Sequence, residues 1–211
     1  MTDLSYWLLF FSAVLALNLA PGPDLIYVLS RSVVGGRRIG LASSLGVCSG
    51  AMVHVVASSL GLSAILATSA LAFSLVKYVG AAYLLYLGIQ ALRHAGSSFD
   101  ARLGDAQPVS AWAAYRQGVL IDVLNPKVAI FFMAFLPQFV RPEHGAVALQ
   151  LLGLGVLVIV VAILVEVLLV LLAARATELI RSRRAISLWL DRTLGSILLA
   201  LGLRLALSER A

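Results

Sequence analysis

Asn18-Leu-Ala-Pro-Gly-Pro-Asp24 and Asp122-Val-Leu-Asn-Pro-Lys127 each interrupt a long apolar stretch. Proline removes a backbone donor and pushes the preceding residue out of helical register. Inside hydrocarbon, freed carbonyls are tolerated only where they face protein or a watery cavity. Two such breaks at matching places in two halves of a chain point to a transport site between inverted repeats.

The surrounding sequence is that of a membrane protein. Of 211 residues, 61% are hydrophobic and 12% charged, and the mean hydropathy is +1.00. Such a composition excludes an ordinary soluble domain. Six apolar stretches reach the roughly 20 residues that cross a bilayer: 4–30, 40–66, 72–92, 116–138, 146–174 and 186–206. The first is not expected to be a cleaved signal. It carries Asp3 instead of a basic leader and has Pro-Gly-Pro where cleavage would fall. Cys48 is the lone cysteine, so no intrachain disulfide forms. The net charge of +6 reports topology rather than nucleic acid.

The connections alternate in charge. Arg31, Arg37 and Arg38 fill the first, Arg93, Arg102 and Arg116 the third, and Arg175, Arg181, Arg183 and Arg184 the fifth. The second has no basic residue and the fourth only Arg141. The odd loops are therefore expected in the cytoplasm and both termini outside. The polar stretch 94–115 reads as a linker between three-helix units at 1–93 and 116–211. Three is odd, so the second unit inserts upside down. The expected fold is all-α and integral to the membrane: six helices in two inverted repeats, with the first and fourth helices broken. Asn18 and Pro21 would correspond to Asn125 and Pro126. Lys77-x-x-Gly80 in the third helix would match Arg192-x-x-Gly195 in the sixth.

The chain resembles the LysE/RhtB family of bacterial amino-acid exporters. The likeness rests on Asn18-Leu-Ala-Pro-Gly-Pro23, Val76-Lys-Tyr-Val-Gly-Ala-Ala-Tyr-Leu-Leu-Tyr-Leu-Gly88, Tyr115-Arg-Gln-Gly118, Leu124-Asn-Pro-Lys127 and Phe135-Leu-Pro-Gln-Phe139. These blocks come in family order across nearly the whole chain. The resemblance implies efflux of amino acids or related metabolites across the inner membrane, driven by the proton gradient. It leaves the substrate open, since the family covers basic, neutral and sulfur-containing amino acids. The family commonly has Asn where this chain has Asp122, which alters the charge balance of the site.

Several residues are candidates for binding. Pro21 and Pro23 deny hydrogen bonds to the carbonyls of Leu17 and Leu19, and Pro126 does so to that of Asp122. The helices that resume offer free N–H groups and a positive dipole end, which suit a carboxylate. Gly22 permits close approach. Asn18 and Asn125 either cap the kinks or touch the ligand. Asp24 is either a cap or a partner for the substrate ammonium. Asp122 and Lys127 lie roughly 140° apart on an ideal helix, so only the break at Pro126 would pair them. They read as substrate or proton groups, or else as a structural ion pair.

Proton coupling is assigned to Glu166, Asp122 and His54. Glu166 stands among Val, Ile and Leu with no basic residue within one turn. It is either a proton carrier or a carboxyl hydrogen-bonded across helices. His54 is either a relay or a packing contact. Gly46 and Gly50 read as small-residue helix packing. The expected partners are an amino acid, protons and the lipid bilayer, with no nucleic acid, no cofactor and a homodimer as a guess. A metal-cation exporter is the main alternative, although Cys48, His54 and the acids are scattered. An intramembrane enzyme fits less well, because Ser49 and His54 do not share a helix face. A mere scaffold leaves the breaks without purpose.

Overall fold

The computed structural model describes residues 4–20, 22–62, 70–93 and 109–182, together with 192–193, 196–197, 199–200, 202–203 and 206–207. Among the described residues every regular element is helical. Among the described residues two helices are long and apolar enough to cross a membrane, Pro23–Gly61 and Val147–Ala173, and the bent pair Ala111–Val123 with Pro126–Phe139 makes a third if it is one span.

Helix α1 (Leu4–Leu19) ends at a bend on Ala20, and α2 (Pro23–Ala57) begins three residues past it. Pro23 suits the first position of a helix, where its missing N–H has no partner in any case. At Gly36, φ is 68° and ψ is −172°, which an L side chain rarely adopts. There α2 folds back on itself. Val28 and Val47 share one buried cluster with Val170, whereas a straight helix would hold them roughly 28 Å apart. The two arms are 23–35 and 37–57, so the turn falls within the expected first connection. The second arm continues as a π-turn, Ser58–Leu62, and the end of the expected second span lies outside the described residues. Helix α3 (Ala70–Arg93) matches the expected third span within two residues.

Helix α4 (Ala111–Val123) starts five residues before the expected boundary at 116. Ser110 sets that start, its hydroxyl accepting from the Ala113 N–H at 3.2 Å. Arg116, counted with the third connection, sits within this helix on its exposed side. The chain resumes as α5 (Pro126–Ile130), a π-turn (Phe131–Phe135) and a 3₁₀ turn (Leu136–Phe139), bent by 50° from α4. Helix α6 (Val147–Ser182) runs 36 residues, beyond the expected 146–174. The sixth expected span falls mostly outside the described residues. The linker 94–115 is described only from residue 109.

Two kinds of packing hold these elements. Aromatic rings join α1 to the segment after the second break, with Phe10 5.2 Å from Phe139 and Tyr6 5.4 Å from it. The Tyr6 hydroxyl donates to the Phe139 carbonyl at 2.7 Å. Small residues join α2 to α4. A Cβ on Gly46 would strike the Tyr115 carbonyl, and one on Gly118 would lie 2.6 Å from the Ser43 carbonyl oxygen. Backbones in such contact gain dispersion energy, which must serve where lipid removes the usual hydrophobic drive. Large apolar side chains such as Leu120, Leu149 and Leu164 remain exposed, as lipid-facing positions do.

Candidate functional site

The site lies where both helix breaks meet. Gly22 and Asn125 are the N-caps of α2 and α5, and Pro23 and Pro126 are their first residues. The next residue on each side is charged: Asp24 on α2 and Lys127 on α5. These two pair, Lys127 Nζ to Asp24 Oδ2, at 2.8 Å. Lys127 is 3% exposed. Its ammonium also donates to the carbonyls of Leu17 at 3.1 Å and Ala20 at 3.2 Å. All three of its protons therefore have acceptors.

This corrects the pairing that the break at Pro126 was read to allow: Lys127 pairs with Asp24, not with Asp122. The lysine also takes the Leu17 carbonyl. Gly22 is needed for the approach. A Cβ there would stand 2.5 Å from Asp24 Oδ1 and 2.8 Å from Lys127 Nζ. Pro21 lies outside the described residues.

The two asparagines do different work. Asn18 donates from Nδ2 to the Val14 carbonyl at 2.8 Å, one turn back in its own helix. Asn125 accepts at Oδ1 from the Lys127 N–H at 3.1 Å, the N-cap bond that starts α5. The expected symmetric roles are therefore not what the contacts give.

The carbonyl of Asp122, which Pro126 leaves without its helical donor, is satisfied twice. The Asn125 N–H reaches it at 2.9 Å. His54 Nε2 reaches it at 3.1 Å; a carbonyl only accepts, so this ring nitrogen carries the proton. His54 also stacks on Phe132 at 6.4 Å between centroids. Its observed task is to support the second break. The Asp122 carboxyl is 1% exposed. It feels the charges of Asp24, Lys127 and Glu166, and Gly50 makes room for its Cβ.

Glu166, 4% exposed on α6, is not alone. Ser44 hydrogen-bonds to it, and the Cys48 thiol donates to Oε2 at 3.9 Å. The sequence reading allowed for a hydrogen bond across helices but did not single out these two residues. Ser44 and Cys48 stand four residues apart, so they share a helix face, but nothing in that spacing names Glu166 as what the face meets. Three buried polar atoms have no partner in the described structure: Asp24 Oδ1, Asp122 Oδ2 and Asn125 Nδ2. Buried polar atoms are normally hydrogen-bonded. Here the three orphans belong to one ion-pair partner of Lys127, one residue that caps it and one that feels its charge.

Among the described residues no three His, Cys, Asp or Glu side chains stand together as metal ligands. Ser49 donates to the Leu45 carbonyl at 2.7 Å and accepts from the Tyr115 hydroxyl at 3.1 Å, while His54 faces Asp122. The two do not form a nucleophile–base pair.

A buried charge pair between two proline-broken helices in apolar sequence fits a membrane transport protein. The chain belongs to the LysE type translocator family, whose model matches residues 15–209. It is 33% identical over 206 residues to a homoserine/homoserine lactone efflux protein of Salmonella typhimurium, covering 98% of each chain. An uncharacterized membrane protein of Vibrio cholerae is 32% identical over 209 residues, covering 98% of this chain and 99% of that one. An uncharacterized membrane protein of Bacillus subtilis is 30% identical over 198 residues, covering 89% and 92%. No solved structure matches.

Proposed function

We propose that this chain exports amino acids or closely related metabolites across the bacterial inner membrane by proton antiport. The three orphan atoms carry the reading. Asp24 Oδ1 and Asp122 Oδ2 are acceptors that suit a substrate ammonium, and Asn125 Nδ2 is a donor that suits its carboxylate. The N-termini of the segments after Gly22 and Asn125 add positive dipole ends for the same carboxylate. The efflux activity in the name of the Salmonella relative supports the class of substrate.

The architecture that goes with this function is six helices in two inverted repeats, 1–93 and 116–211, joined by the linker 94–115. Its support is a recurring pattern. Each half has a broken helix, and the segment after the break runs about 13 residues, well short of a full span. Each then meets a glycine at positive φ, Gly36 at 68° and Gly145 at 129°. Pro23-Asp24 and Pro126-Lys127 sit at equivalent places after the breaks, so the ion pair would lie on the pseudo-two-fold axis. This moves the correspondence from Pro21 to Pro23. The arginine-rich loops face the cytoplasm in this reading. Cysteine labelling of Ser97→Cys in a background without Cys48 is expected only after the inner leaflet is opened; labelling from outside intact cells would refute the orientation.

Proton transfer falls to Glu166 and Asp122, the buried carboxyls not engaged by Lys127, with His54 beside them. The test is counterflow and gradient-driven flux in proteoliposomes with a panel of amino acids. Wild type should accumulate its substrate against a gradient when the proton gradient runs the opposite way. Glu166→Gln should retain counterflow and lose the response to the pH gradient. Equal gradient-driven flux in Glu166→Gln would remove it from coupling, and no counterflow with any amino acid would overturn the exporter reading.

A further inference from the structure

The Lys127 ammonium occupies a complete cation site made by other parts of the chain. One carboxylate, Asp24, and two main-chain carbonyls, Leu17 and Ala20, take its three protons. The carbonyls belong to the C-terminal end of α1, where the helix dipole favours a cation. A substrate's α-ammonium is the same chemical group as the lysine's, with the same three donors. Beside this site two polar atoms stand idle, Asp24 Oδ1 and Asn125 Nδ2.

We infer that a zwitterionic substrate enters by opening the Asp24–Lys127 ion pair, its ammonium taking Asp24 and the α1 carbonyls, and its carboxylate taking Lys127 and the Asn125 amide. The inference rests on the exporter reading and adds which charges the site demands. One buried pair becomes two, and the net charge is unchanged. A substrate lacking the carboxylate would leave Lys127 uncompensated, and one lacking the ammonium would leave Asp24 so. Buried unpaired charge is strongly disfavoured. The pair therefore selects zwitterions, and Lys127 is the specificity determinant against esters, lactones and simple amines, which sets this chain apart from the Salmonella relative, whose name includes homoserine lactone.

The test is titration of the detergent-purified chain at pH 6 with three sets of probes. Homoserine and leucine are each offered as the free amino acid, as the lactone or methyl ester without a carboxylate, and as the desamino acid without the ammonium. In wild type the free amino acid should bind at least about tenfold more tightly than its two analogues. This measurement needs no variant. Lys127→Met should shift the preference by about tenfold toward the lactone or ester, and Asp24→Asn by about tenfold toward the desamino acid. Variants are compared only as monodisperse protein. Opposite shifts identify charge recognition; a structural ion pair would lower all ligands together. Equal binding of lactone or ester and free amino acid by wild type overturns the inference while leaving export intact. Binding of no probe, together with no counterflow, overturns both.

Discussion

Lys127→Ala is expected to destabilise the purified protein by about 3–5 kcal/mol, the cost of removing one partner from a buried ion pair. Three groups lose their donor at once. Asp24 keeps a carboxylate that is 7% exposed with its residue, and the carbonyls of Leu17 and Ala20 lose the ammonium that replaces their missing helical partners. Asp24→Ala removes only one of the three acceptors of Lys127, so it should cost less. The double variant Asp24→Ala, Lys127→Ala leaves no buried charge and should cost less than the two single losses added together, since neither residue is left as an unpaired charge. Thermal unfolding in detergent for the two single variants and the double variant checks this. Losses that simply add would mean that the two residues do not act as a pair.

Gly46→Ala should cost about 1–3 kcal/mol, as overpacking a tight interface does. The added methyl meets the Tyr115 carbonyl group itself, which no rotamer change can move aside. The α2–α4 contact would have to open, and with it the position of Asp122, which Gly50 contacts one turn further along. Gly153→Ala is the control. Nothing lies within 4 Å of a Cβ there, so it should gain the modest preference of alanine over glycine in a helix, about 0.5–1 kcal/mol. The same unfolding assay compares them. Equal effects at both positions would rule out close packing as the reason for Gly46.

The asymmetry between those two glycines marks how far local pattern reaches. Both stand in apolar helices, and composition treats them alike. Gly46 and Gly50 were legible as packing residues because they stand one turn apart among serines. Their partners, Tyr115 and Asp122, were not legible, since helical spacing says which residues share a face but not what the face meets. Glu166 shows the same limit. Read along the chain it is a solitary acid, yet Cys48, 118 residues away in sequence, donates to it. His54 looked like a relay or a packing contact. Its place beside the Asp122 carbonyl, 68 residues away, turned on where α2 crosses α4 after folding back at Gly36. Five residues put Lys127 on a different helix face from Asp122, and only the break at Pro126 would have paired them. The chain instead leads its ammonium 110 residues back, to Leu17.

The sequence by itself determined that this is a helical membrane protein, that proline interrupts its apolar stretches at 21–23 and at 126, and that Gly46 and Gly50 serve close helix packing. Those properties are local: apolar length, the missing proline donor and the absent glycine Cβ act within one or two turns of the chain. Only the tertiary structure decided that the two breaks face each other, that Asp24 and Lys127 close the gap between them, and that Asp122, Asn125 and Asp24 each keep one polar atom unengaged. A buried charge and a freed carbonyl must find partners, and that requirement is readable anywhere in the sequence. Which partner answers depends on how distant helices pack, and that geometry is set by all of the contacts at once.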